Sequence, residues 1–212
     1  MLNIIAMAPW CPPRNLKGKI WSINNSHAAW KREGIIYKPD LIIAMDDLRR
    51  DEIKHPDYVE EIVTAGCPVL STHDSEKWET VKAFPLDTVY KVFTNTHLFD
   101  NTINYAFMLA LVKGYKEITF HGTDFVSPDS KKLLSKAGVN WLKRGYRDVP
   151  DWFKYYDEDV IHWRGGNEPG VESFHYLMGR AEGVKMFFAK GSTALNMDRD
   201  SFFYGYQEQP EI

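Results

Sequence analysis

The amino-acid sequence predicts an α/β fold, with a mostly parallel sheet and helices on both faces. Short apolar runs alternate with segments of helical period, and the polar clusters fall directly after the apolar runs. The unit from Asn101 to Asp124 states the pattern most fully: one helix, one strand, then Gly-Thr-Asp. In a parallel sheet the loops at the carboxyl ends of the strands are where ligands bind, so that ending marks a site.

Asn3 to Ala8 is an apolar run closed by Pro9, too short for a helix and therefore the first strand. Pro9-Trp10-Cys11-Pro12-Pro13 then makes a shaped loop. Lys19 to Asn24 is the second strand, and Asn24-Asn25-Ser26-His27 gathers four polar side chains at its end. Amides there can read a base or ribose edge, or Asn25 or Ser26 can cap a short helix from Ala28 to Arg32. Asp40 to Met45 is the third strand, ended by Asp46-Asp47. That pair could hold magnesium or a ribose, or could start a helix at its positive end. A helix from Asp57 to Ala65, stopped by Gly66, leads to a fourth strand from Pro68 to Thr72. His73 and Asp74 follow, but neighbouring side chains point apart, so adjacency alone makes no catalytic pair.

Thr88 to Phe93 alternates as a fifth strand and opens into Thr94-Asn95-Thr96-His97. The next helix is amphipathic, with Ile103, Phe107, Met108, Leu111 and Val112 as its stripe, Asp100 or Asn101 as its cap and Gly114 at its stop. Glu117 to His121 is a strand that breaks at Gly122. Residues 126–168 change character: lysines and arginines interleave with aromatics, as in a lid or an oligomer contact. Helical spacing returns from Pro169 to Ala181, Val184 to Ala189 is the last strand, and the tail Phe202-Phe203-Tyr204-Gly205-Tyr206 packs back as an aromatic flap.

At 212 residues the chain is one domain, residues 1–212 with that lid-like insertion. A formal charge of −3 argues against a generally basic, nucleic-acid-coating protein, while leaving room for a local basic groove. Aromatics make up 14% of the chain, enough to stack bases or sugars as well as to fill a core. Cys11 and Cys67 have neither zinc nor redox spacing, which points to reduced thiols in a cytoplasmic protein. Neither a secretory leader nor a membrane span is legible, and GxGxxG and Walker motifs are missing.

Thr94-Asn95-Thr96, a helix carrying Ala106, Ala110 and Leu111, then Gly114-Tyr115-Lys116-Glu117-Ile118 and Gly122-Thr123-Asp124-Phe125 form a block that resembles a Rossmann-like group. That group includes archaeal 6-hydroxymethylpterin diphosphokinase-like domains and bacterial lipooligosaccharide sialyltransferases. Ile4 to Pro9 and Trp21 to Asn25 look like its first two strands. The resemblance implies a nucleotide-activated donor, held by Asn24 or Asn25 and by Thr94, Asn95 and Thr96, with Asp124 beside it. It also implies a lid histidine as base, which falls on His162, and a tyrosine on the leaving phosphate, Tyr155 or Tyr156. The group's glycine-rich first turn is here Ala8-Pro9-Trp10-Cys11-Pro12, where only the proline is kept, and Val126 replaces an expected tyrosine. The compact length and the ending AEGVK…FFYGY resemble small bacteriophage-encoded members, for which sugar transfer onto modified DNA bases in the host cytoplasm is one task.

The expected function is a glycosyltransferase-like enzyme using a nucleotide sugar. Pro9, Asp46, Gly122 and Thr123 complete the nucleotide-binding set, and His162 deprotonates the acceptor hydroxyl. Lys143, Arg144, Arg147, Lys154 and Arg164 neutralise the diphosphate or an anionic acceptor, or are simply solvated. If the acceptor is DNA, Trp141, Trp152 and Tyr155 stack an unpaired base. Magnesium-ATP-dependent pyrophosphoryl transfer to a pterin-like alcohol, with Asp46, Asp47 and Asp124 on the metal, is the alternative enzyme. A non-catalytic nucleotide-binding protein is the alternative from another class.

Overall fold

The computed structural model describes residues 1–7, 12–99, 101–123 and 168–189. Among the described residues seven strands form one sheet, all parallel. They are β1 (Leu2–Ile5), β2 (Lys19–Ile23), β3 (Leu41–Ile43), β4 (Val69–Ser71), β5 (Val81–Ala83), β6 (Glu117–His121) and β7 (Lys185–Phe188), in the order β5-β4-β3-β2-β1-β6-β7. From β1 the chain steps outward to β5, then crosses back to place β6 on the other side of β1. The order therefore reverses between β1 and β6, and their carboxyl ends bound the crevice of a doubly wound sheet. The expected α/β architecture, a Rossmann-like parallel sheet with helices, is the one observed.

Helices α1 (Ser26–Arg32), α2 (Leu48–Lys54), α3 (Pro56–Val63), α4 (Leu86–Tyr90), α5 (Thr102–Val112) and α6 (Glu168–Arg180) cover the two faces. Alternation along β3 shows the division. Ile43 enters a core with Phe107, Phe120 and Phe174, under α5 and α6, whereas Ile42 enters a second core with Leu48, Val59 and Ile62, under α2 and α3. All four residues of β1 are buried, as befits a strand covered on both faces. No described helix is long and apolar enough to cross a membrane.

Three expectations are corrected. Thr88 to Phe93 is not a strand: α4 occupies Leu86–Tyr90, and Val89 on it and Phe93 just past its end, four residues apart, are both buried in the core. The fifth strand is instead Val81–Ala83, whose only buried residue is Val81. Nor is α5 amphipathic. Ala106 through Ala110 are all buried, because the sheet, α4 and α6 enclose the helix. Its ends do match: Asn101 Oδ1 accepts from the Asn104 amide at 2.9 Å, and Gly114 is left-handed with φ 77°. The first helix begins at Ser26 rather than Ala28, and Asn25 makes no side-chain capping bond to it. The lid-like insertion at 126–168 and the aromatic tail lie outside the described residues apart from Glu168.

Candidate functional site

Parallel pairing puts the carboxyl ends of all seven strands on one rim. Around the β1/β6 reversal the rim is built by Ala6 and Met7, by Asn24 after β2, and by Gly122 and Thr123 after β6. The Ala6 amide donates to the His121 carbonyl at 2.8 Å, which carries the β1/β6 ladder one residue beyond the strands. Gly122, at φ 58°, follows so closely that a Cβ there would lie 2.2 Å from the Ala6 oxygen. Glycine is thus required both by conformation and by contact. Thr123 is fully buried, its hydroxyl directed to the His121 carbonyl at 3.4 Å.

Asn24 is left-handed as well, at φ 52°, which asparagine tolerates better than other residues with a side chain. Its amide N–H extends the sheet to the Ile43 carbonyl at 2.9 Å, yet its side-chain Oδ1 is buried without a hydrogen-bond partner. A left-handed backbone and an unpaired buried acceptor on one residue make Asn24 a candidate binding position. Asn25 differs: its Nδ2 donates to Glu61 Oε2 at 2.8 Å, and Glu61 also pairs with Arg32 and accepts from His27 Nε2 through its carbonyl at 3.0 Å. That group ties α1 to α3.

The two acids after β3 divide. Asp47 caps α2 by accepting from the Arg49 amide at 3.2 Å, and the Arg49 guanidinium beside it holds its carboxyl down to about 2. Helix initiation, one of its two expected roles, is realised. Asp46 is partly buried, accepts from the Tyr58 hydroxyl at 2.6 Å, and is raised by desolvation above the ordinary carboxylate range. No metal-ligating cluster occurs among the described residues. His73 and Asp74 are separately engaged, His73 with Thr72 at 2.9 Å and Asp74 with the Ala83 amide at 3.1 Å. A hollow lined by Arg49, His73, Asp74 and Trp78 among others has room for no more than about one water.

Thr94, Asn95 and Thr96 are exposed and follow α4 rather than a strand. Asn95 Oδ1 accepts from the His97 amide at 3.1 Å and starts a 3-10 turn, Thr96–Leu98. They are therefore not the strand-end cluster expected from the sequence, and no described hydrogen bond joins them to Asn24, Gly122 or Thr123. Cys67 is a buried free thiol, pushed up to about 11 by desolvation, and is therefore a poor nucleophile. Pro9, Cys11, Asp124, Tyr155, Tyr156 and His162, with Arg144, Arg147, Lys154 and Arg164, lie outside the described residues. Comparison with known proteins finds no matching family model, and neither a curated protein nor a solved structure matches the chain.

The sequence reading passed over Asn3 and His121, which meet beneath this rim. Both are almost fully buried, at 2% and 4% exposure, and His121 Nε2 lies 3.2 Å from Asn3 Oδ1. A polar residue within the apolar run Leu2-Asn3-Ile4-Ile5 was the available signal. Burial lowers His121 to about 4, so it is neutral in the folded protein. The unfolded chain takes up this proton near 6.5 and the folded chain only near 4; stability is complete above 6.5 and falls as pH drops toward 4. The loss amounts to about 3 kcal/mol for a shift of this size. His27, lowered chiefly by desolvation, acts in the same direction, and Asp46, raised by burial, opposes it at the acid end. Urea unfolding from pH 7 to 4 should show this slope, and His121→Gln should flatten it.

Proposed function

We propose that this chain is a transferase that binds a nucleotide-activated donor, most naturally a nucleotide sugar, on the rim beside the β1/β6 reversal. The observation that carries the reading is Asn24: strained, next to the crevice, and holding an unpaired buried acceptor. Gly122 and Thr123 shape the far wall at the switch point, where ligands of open α/β sheets bind. In this reading Asp124 flanks the nucleotide, His162 deprotonates an acceptor hydroxyl, and Tyr155 or Tyr156 holds the leaving phosphate, as the family resemblance implies. The acceptor is a small alcohol or a base of DNA. A DNA acceptor would declare itself by a steep salt dependence of binding.

A thermal-shift panel of nucleotides and nucleotide sugars, with and without magnesium, tests this. A ligand at 100 times its dissociation constant stabilises by about 2.7 kcal/mol. One nucleotide sugar should shift the melting temperature more than its parent nucleotide. A shift with ATP that requires magnesium would favour pyrophosphoryl transfer instead, although Asp46 and Asp47 are already engaged by Tyr58 and Arg49. Tight nucleotide binding without turnover on any donor would favour the non-catalytic alternative. Asn24→Gly keeps the left-handed backbone and removes the amide; stability should change by less than about 1 kcal/mol while nucleotide affinity falls about tenfold. Unchanged affinity would remove Asn24 from the site.

A further inference from the structure

Asn3 fixes the chemistry of His121. Its side-chain NH2 donates to the Lys17 carbonyl at 2.6 Å and the Lys19 carbonyl at 3.2 Å, so its Oδ1 is the atom that faces the imidazole. His121 must therefore carry its proton on Nε2, leaving Nδ1 as a bare lone pair. That Nδ1 is buried with no hydrogen-bond partner, one residue before Gly122 at the strand-order reversal. A buried acceptor left unpaired costs about 1–3 kcal/mol, whereas a ligand that brings a donor recovers this on binding. We propose that His121 Nδ1 is an uncharged acceptor kept open for a hydroxyl of the bound sugar or ribose, with Asn3 as the residue that sets its tautomer. This rests on the nucleotide-sugar reading and narrows it: a phosphate at neutral pH brings acceptors, not donors, and does not suit this position. Burial holds the imidazole neutral across the physiological range, so the contact stays an uncharged hydrogen-bond acceptor there.

The test is imidazole 15N NMR of the full chain, alone and with UDP-glucose, UDP, glucose, ribose and whichever nucleotide sugar gives the largest thermal shift. In the free protein, Nδ1 should resonate as an unbonded, unprotonated nitrogen, and it should move upfield when a sugar-bearing ligand binds. His121→Gln, which preserves a donor to Asn3 but deletes the Nδ1 acceptor, should weaken that ligand about tenfold, the equivalent of one hydrogen bond. His121→Asn, which sets an amide oxygen where Nδ1 was, should recover part of the loss. A nucleotide sugar that stabilises the protein while Nδ1 stays still, or that binds His121→Gln equally well, overturns this proposal and leaves the nucleotide-sugar reading standing. Free sugars that move Nδ1 while no nucleotide adds affinity sink that reading and keep this one. An Nδ1 already hydrogen-bonded in the free protein, filled by water, or one that no sugar moves, overturns the proposal outright.

Discussion

Gly122→Ala should lower stability by about 4 kcal/mol, a fall of about 10 °C in melting temperature for a chain of this length. Two effects add. At φ 58° an alanine sits in the left-handed region, which costs about 1–2 kcal/mol. The new methyl would also lie 2.2 Å from the Ala6 oxygen and 2.6 Å from its carbonyl carbon. Those are backbone atoms of the central strand's end, which cannot rotate away as a side-chain tip would, so β1 and β6 must part at the point where the Ala6 amide bonds the His121 carbonyl. The control is Gly114→Ala, also left-handed at φ 77° but with nothing within 4 Å of the new methyl, which should cost only about 1 kcal/mol. Equal losses in the two variants would mean that close approach contributes nothing at Gly122. If the crevice takes the proposed nucleotide sugar, its binding should fall with Gly122→Ala and survive Gly114→Ala, because only the former displaces the crevice wall.

How much of this was legible depends on how local the signal is. The strands β1, β2, β3, β4 and β6 were readable because apolar runs buried on both faces need no partner to be recognised. Asn101 and Gly114 were readable at the ends of α5 because capping chemistry is local. The segment Thr88 to Phe93 failed for want of length: over six residues a two-residue alternation and a Val89/Phe93 helical pair look alike, and only the core under Phe84 and Tyr105 decides. The strand β5 was illegible because, as an edge strand, it buries just Val81. At the site, Asn24 could be read as an amide after a strand, but its unpaired oxygen could not. The sequence also placed Asp46 and Asp47 together, whereas the fold sends one to Tyr58 and the other to cap α2. His121 was out of reach, since its partner Asn3 lies 118 residues away and the pairing exists only once β6 lies beside β1.

That same placement of β6 makes Phe120 the residue whose loss should spread furthest. Its ring meets Phe107 of α5 edge-on at 5.2 Å, Phe174 of α6 edge-on at 5.3 Å, and stacks on Phe188 of β7 at 5.2 Å, so one side chain joins two helices and the last strand. Phe120→Ala should destabilise the protein by about 4 kcal/mol, the cost of a large ring removed from a site that cannot collapse around the gap. The more diagnostic expectation is where the loss appears. Within the described sheet β7 pairs only with β6, and its end is held by the Ala189 amide on the Phe120 carbonyl at 2.8 Å. With the ring gone, hydrogen exchange at the amides of β7 should accelerate well beyond that at β3 and β4, where Ile42, Val69 and Val81 belong to the other core. Phe187→Ser, at a neighbouring side chain that is 48% exposed, should change stability by less than about 0.5 kcal/mol and serves as the reference. Uniform acceleration across the sheet would mean that the two cores unfold as one unit. Acceleration confined to β7 and α6 would mean that the wall of the crevice carrying His121 and Gly122 is held by this aromatic cluster, separately from the half of the sheet that carries Asp46 and Asp47.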